Sequence, residues 1–308
     1  MAVAGIALVA LVLFARLPAT PKFLAVVNDA AHAPVFALLS LQILALLSGL
    51  PEPWKTPLAF SLTIVVGIVV EWIQGLIGRD ASFADVVTDA LGALCALGLF
   101  AWWQAHTIRD ARSSWKGRTG LVVALVAAGA VALPVAEAAS AYARRASAFP
   151  VILRFETQLD VYFVSTQGVR AEQRSLPRPW GRDDDPRSLR LRVTGGEFPG
   201  LALVEPQADW RGYRLLHLDI TNPDDEPLSV TLRVHDQSHN NRLTDRFNRT
   251  FVLAGRTREV MSVPLADVEA APEGRKLDLS RIASLIVFAA GPGIRPGRTF
   301  YLTRAWLE

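Results

Sequence analysis

The sequence predicts a two-part protein, an all-α bundle of five transmembrane helices followed by an all-β sandwich of jelly-roll type. Three observations lead there. Of 308 residues, 51% are hydrophobic and 20% charged, yet residues 1–150 hold only 10 of the 32 Lys and Arg and 8 of the 29 Asp and Glu. Five runs in that half, residues 2–17, 30–50, 57–77, 86–104 and 120–140, approach or reach the roughly 17–25 mostly apolar residues needed to cross a hydrocarbon core of about 30 Å. After Pro150 the pattern turns to short alternating runs broken by Gly, Pro, Asn and Asp, the mark of strands and turns. The expected domains are therefore residues 1–145 and 150–308.

The breaks between the apolar runs contain Pro18 and Pro21, then Pro51, Pro53 and Pro57, then Gly78-Arg79-Asp80, then a polar stretch from His106 to Arg118. The first run has no positive residue before it and Arg16 at its far end. It reads as a retained helix, against the alternative of a cleaved signal peptide. Arg109, Arg112, Lys116 and Arg118 form the densest basic loop, which the positive-inside rule places in the cytoplasm. Alternation then puts everything after residue 140 outside, although Arg144 and Arg145 oppose this orientation. The location expected is the bacterial cytoplasmic membrane, crossed several times, with the second domain extracytoplasmic. The formal net charge of +3 is spread over both halves and gives no basic patch for nucleic acid. The single Cys95 leaves the second half without a disulfide.

Charged groups inside a span are costly, so the few present are candidate functional residues. They are His32, Glu71, Gln74, Arg79, Ser82, Asp85 and Asp89, and antiparallel neighbouring helices would bring them to one membrane face. Ser82, three residues before Asp85, also has the spacing of a helix cap. Asp85 and Asp89 also suit the positive end of a helix dipole. His32 also reads as an interfacial residue without a partner. Glu71, at the carboxyl end of its helix, has no capping role and is expected to pair with Arg79 or His32. Gly92 and Ala96, four apart, would let one helix approach another closely.

The run His32-Ala33-Pro34-Val35-Phe36, then Glu71-Trp72-Ile73-Gln74, Gly78-Arg79, Ser82, Asp85, Asp89 and Gly92, resembles the signature of the VanZ-like membrane family over residues 20–105. Asp89 stands where that family more often has Asn. The resemblance implies a bacterial envelope membrane protein, with a link to glycopeptide-type antibiotic tolerance, and no particular reaction.

In the second half, strands are expected over residues 151–155, 188–194, 201–204, 213–220, 228–235, 249–254, 258–263, 282–288 and 299–307. Leu228, Val230, Leu232 and Val234 alternate with Ser229, Thr231 and Arg233, so one face of that strand meets a core. Phe155-Glu156, Leu189 to Val193 with Gly195-Gly196, Asp209-Trp210, Leu218 to Ile220 with Asn222-Pro223, Val234-His235-Asp236, Asp245 to Asn248 and Phe300-Tyr301 resemble the galactose-binding-like jelly rolls of carbohydrate-binding modules. His235, Asp236, Asp245, Arg246 and Asn248, with His239, Asn240 and Asn241, crowd one loop, and Trp180, Trp210 and Tyr213 are candidates for an aromatic platform on which a sugar would stack. A solvated loop and core Trp residues are the alternative reading. No cofactor is expected, although Asp183-Asp184-Asp185 would offer oxygen ligands to a structural calcium. No Gly-x-Ser-x-Gly, His-Glu-x-x-His or phosphate loop is present.

The function expected is non-catalytic: an envelope protein that engages cell-wall or exported polysaccharide, its partners the lipid bilayer and an envelope glycan or lipid-linked saccharide. The alternative is a membrane enzyme acting on a lipid-linked or phospholipid headgroup through Glu71, Arg79 and Asp85.

Overall fold

A computed structural model describes residues 21–78, 82–107, 111–182, 185–291 and 294–308, with Ala7 alone before them. The chain forms two compact units, divided between Ala139 and Ser140. The expected first span, residues 2–17, lies outside the described residues.

The first unit is helical: α1 (Lys22–Ala30), α2 (His32–Leu46), α3 (Glu52–Leu76), α4 (Phe83–Thr107) and α5 (Ala111–Ala148). Among the described residues, four stretches are long and apolar enough to cross a membrane, Lys22–Leu46, Trp54–Leu76, Phe83–Thr107 and Trp115–Ala148. The first of these begins eight residues before the expected span at residue 30, because α1 and α2 adjoin with only Ala31 between them and both are largely apolar. Pro51 precedes α3, where its missing N–H costs nothing. Ser82 opens α4, its Oγ accepting the Ala84 N–H at 3.2 Å, as the capping reading requires.

Two small apolar clusters hold this unit together, Phe36, Leu39 and Val70 in one, Leu44, Ala59 and Leu97 in the other. Closer packing depends on small residues. A Cβ on Gly92 of α4 would collide with the backbone of Ala33 on α2. Gly98 and Gly120 face each other in the same way between α4 and α5. Gly92→Leu is expected to force α2 and α4 apart and cost about 1–3 kcal/mol or more. A thermal melt of the detergent-solubilised chain measures this, and an unchanged melting temperature would refute the close contact.

The second unit is a sandwich of two antiparallel sheets. One has the order β3 (Val169–Arg174), β4 (Ser188–Val193), β11 (Thr299–Leu307), β6 (Leu215–Asn222), β9 (Thr257–Pro264), with β1 (Val151–Leu153) also on β11. The other runs β2 (Val164–Gln167), β5 (Gly200–Val204), β10 (Ile282–Ala289), β7 (Leu228–Asp236), β8 (Phe247–Leu253). All connections except β3–β4 and β7–β8 cross between sheets, so each sheet is assembled from strands distant in sequence. Between the sheets, Leu191, Leu218, Ile220, Leu232, Val234, Leu285, Val287 and Leu302 form one continuous core. The last turns of α5 belong to this unit. Ala141 is buried in the same core, Tyr142 packs edge-on to Phe163 at 4.9 Å, and Arg144 pairs with Asp160 at 2.7 Å. The helix therefore outruns the expected span end at residue 140 because its final residues have a packed surface to cover.

β2 and β3 were not expected. Both lie at sheet edges and carry Ser, Thr, Gln, Arg and Glu, so their sequences lack the apolar alternation that central strands need.

Candidate functional site

Alternation on β7 sends Val230, Leu232 and Val234 into the core and leaves Thr231, Arg233 and His235 on the outer face of the five-stranded sheet. Register then sets their neighbours. Arg233 lies opposite Asn248 on β8 and opposite Ile286 on β10, and Phe288 on β10 lies opposite Gly200 on β5. The result is a continuous row of side chains across the face. Phe198, 47% exposed, packs edge-on to Phe288 at 5.3 Å. The Arg233 guanidinium lies 5.1 Å over the Phe288 ring and its Nε donates to Asn248 Oδ1 at 3.1 Å. Farther along, the His235 and His239 rings lie 4.7 Å apart. Gly200 permits the row, since a Cβ there would collide with the β10 backbone at Val287 and Phe288.

Two arginines on this face have no carboxylate. Arg233 makes no ion pair among the described residues, and neither does Arg246, whose Nε is buried without a hydrogen-bond partner. Burial pulls both guanidinium groups below their ordinary value, and Arg246 adds repulsion at Arg233. Burial likewise lowers His235, which favours the neutral ring at neutral pH.

The rest of the expected loop site has another role. Asp236 accepts two bonds from Arg275, at 2.6 and 2.9 Å, and one from the Asp278 N–H at 2.8 Å. Asp245 accepts from Arg275 at 2.5 Å and from the Asn240 N–H at 2.8 Å, and its backbone carbonyl lies 2.8 Å from His239 Nδ1. One arginine thus ties the β7–β8 loop to the segment before β10. Burial alone would raise Asp236, but Arg275 and the backbone donors outweigh it and hold the carboxyl below the usual range. Arg275 above all, with the Asn240 N–H, brings Asp245 down to about 2. Both groups bind fewer protons folded than unfolded, so their stabilisation is complete above the ordinary carboxylate pKa of about 4. It is lost as pH falls toward about 2. Acid titration of the sandwich's unfolding is expected to show that loss, and Arg275→Ala to flatten it; an equal slope in the variant would refute the linkage.

The three expected aromatic residues do not form a platform. Trp210 is fully buried, its Nε1 donating to Gln207 O at 2.8 Å, and belongs to the core. Tyr213 packs edge-on to Phe149 at 5.4 Å. Trp180 is bonded to Arg256 O in the β8–β9 turn at 3.1 Å. The seven residues of β8, about 20 Å of strand, separate that turn from the β7–β8 loop. Of the expected calcium ligands, Asp183 and Asp184 lie outside the described residues, and Asp185 is bound to Arg258 at 2.5 Å. Among the described residues no three His, Cys, Asp or Glu are grouped to hold a metal.

In the helical unit, His32 Nδ1 lies 3.2 Å from Asp89 Oδ1, with both residues buried, so the histidine's partner is Asp89 rather than Glu71. Glu71 Oε2 accepts the Ser82 N–H at 2.8 Å, while Oε1 is buried without a partner among the described residues. Gln74 is also buried, and Asp85 is half-buried in the first turn of α4. Arg79 lies outside the described residues.

Missing from the expected set were Phe198, Phe288, Arg233 and Arg275. Arg233 was recoverable from the alternation of β7. The two phenylalanines meet only through the β5–β10 pairing, and Arg275 reaches its carboxylates across 30 and 39 residues of sequence.

Neither a protein-family model nor a curated protein matches the chain. Solved structures match about half of it. An exo-beta-agarase is 18% identical over 51% of this chain, at a TM-score of 0.41, and the match spans 24% of the agarase. A family 11 carbohydrate-binding module from Clostridium thermocellum, solved with a beta-1,3-1,4-mixed-linked tetrasaccharide, is 14% identical over 51% of this chain and 93% of its own length, at a TM-score of 0.38. The xylan-degrading Xyn10B fragment from the same organism, solved with xylohexaose, is 9% identical over 51% of this chain and 28% of its own, at 0.35. The similarity is to proteins that carry carbohydrate-binding modules or act on polysaccharides.

Proposed function

We propose that the chain is a non-catalytic membrane protein of the bacterial envelope whose sandwich binds a carboxylate-bearing polysaccharide on the outer face of its five-stranded sheet. The supporting observation is the pairing of an exposed aromatic, Phe198, with two half-buried arginines, Arg233 and Arg246, that lack acidic partners among the described residues. A sugar ring stacks on the first, and guanidinium groups donate to hydroxyl and carboxylate oxygens. On this reading the helices anchor the protein in the cytoplasmic membrane, with the sandwich outside. Together with the VanZ-like resemblance, the retained polymer connects the protein to glycopeptide-type antibiotic tolerance.

The test is titration of the full chain in nanodiscs with a uronate-bearing polysaccharide and a neutral glucan. Saturable, salt-sensitive binding of the acidic polymer is expected, weakened roughly tenfold or more by Phe198→Ala or Arg233→Ala. Absence of binding, or binding that both substitutions leave unchanged, overturns the proposal. Phe198→Cys should react with an impermeant thiol reagent in intact cells; reaction only after lysis would place the face on the wrong side of the membrane.

A further inference from the structure

A groove of about 610 Å³ runs between α3 and α4. Its walls are Phe60, Ile64 and Ile68 on one helix and Val86, Val87 and Ala90 on the other. Among the described lining residues, side-chain oxygens come from Glu71 and Ser82, which lie together at one end beside Trp72. From Phe60 to Glu71 the helix rises about 16 Å, so the groove is long and apolar, with the Glu71 carboxyl group at one end. Ile68, Trp72, Phe83 and Val87 leave their apolar surface exposed around it.

Glu71 is only 5% exposed, and among the described residues Oε1 has no hydrogen-bond partner, although Oε2 takes the Ser82 N–H. A buried carboxyl oxygen left without a donor is costly. The Ser82 N–H occupies only Oε2, so the second carboxyl oxygen is left over from this contact. The vacant acceptor therefore points to a ligand that brings a donor.

We infer that this groove binds one membrane lipid of the phosphatidylethanolamine class, an acyl chain lying along Ile64, Ile68 and Val87 and the ammonium donating to Glu71. The chemistry of the two ends selects that class. The walls offer nothing to a polar molecule, and the carboxyl group accepts from an ammonium but repels an anionic headgroup when ionised. A trimethylated headgroup has no N–H to give. The inference rests on the reading of these helices as membrane spans.

Native mass spectrometry of the full chain, released from nanodiscs of equal phosphatidylethanolamine, phosphatidylglycerol and phosphatidylcholine, tests it. One phosphatidylethanolamine is expected to be retained in preference to the other two. Glu71→Gln should reduce that preference about tenfold or more, the loss of a charge-assisted hydrogen bond. Ile68→Trp, which fills the groove and leaves Glu71 in place, should abolish retention without changing helix content, and decides the matter if the Glu71 variant does not fold. Equal retention of the three lipids, or full retention in Ile68→Trp, overturns the inference. Carbonate extraction of cell membranes separates the two failures: release of the chain rejects the membrane reading itself, whereas a firmly embedded chain with no lipid preference rejects only the groove.

Discussion

Arg275→Ala is expected to destabilise the sandwich by about 3 kcal/mol, the low end for breaking a buried ion pair. The low end applies because the guanidinium keeps 28% of its side-chain surface exposed, whereas the Asp236 side chain has none. Without the arginine, among the described residues Asp236 keeps the backbone donors of Ser238 and Asp278, and Asp245 keeps that of Asn240, with His239 Nδ1 3.5 Å away. For a domain of this size the melting temperature should fall roughly 6–12 °C. Arg275→Lys supplies the charge without the two-sided fork and should restore only part of it. Differential scanning calorimetry of the full chain measures the change. A melting temperature within a degree of the parent would mean that the loop is held by something other than this arginine.

Trp210→Ala should act through stability and not through a ligand. The indole is fully buried and its N–H is bonded within the chain, so truncation leaves a cavity that costs about 3–5 kcal/mol. The glycan binding proposed for the sandwich, measured well below the lowered melting temperature, should persist, because the proposed face does not include Trp210. Phe198→Ala should do the reverse, leaving the melting temperature nearly unchanged while weakening binding. Loss of binding in Trp210→Ala with an unchanged melt would restore the tryptophan to the site and remove it from the core.

The two effects follow from a distinction that sequence alone does not make. A Trp between Asp209 and Arg211 has polar neighbours and reads as a surface aromatic, yet its backbone N–H is bonded to Leu279 O, and that pairing turns the ring into the core. Asp236 and Asp245 likewise read as a polar loop offered to solvent. Their partner stands at position 275, beyond two further strands, and only folding brings it between them.

Local pattern determined a good deal. The charge asymmetry separated a helical part from a β part, because apolar helices and half-buried strands impose periods that need no long-range information. The same is true of the Ser82 cap, set by hydrogen bonds within one turn. The small face of Gly92 also needs only its own helix to be legible. What tertiary structure decided were the edge strands β2 and β3, held in place by pairing with β5 and β4 rather than by their own composition. It also decided His32's choice of Asp89, the meeting of Phe198 with Phe288 and the vacant oxygen of Glu71 at the end of its groove. Each of these joins residues on different elements, and a contact between elements depends on register and crossing geometry that no single segment encodes.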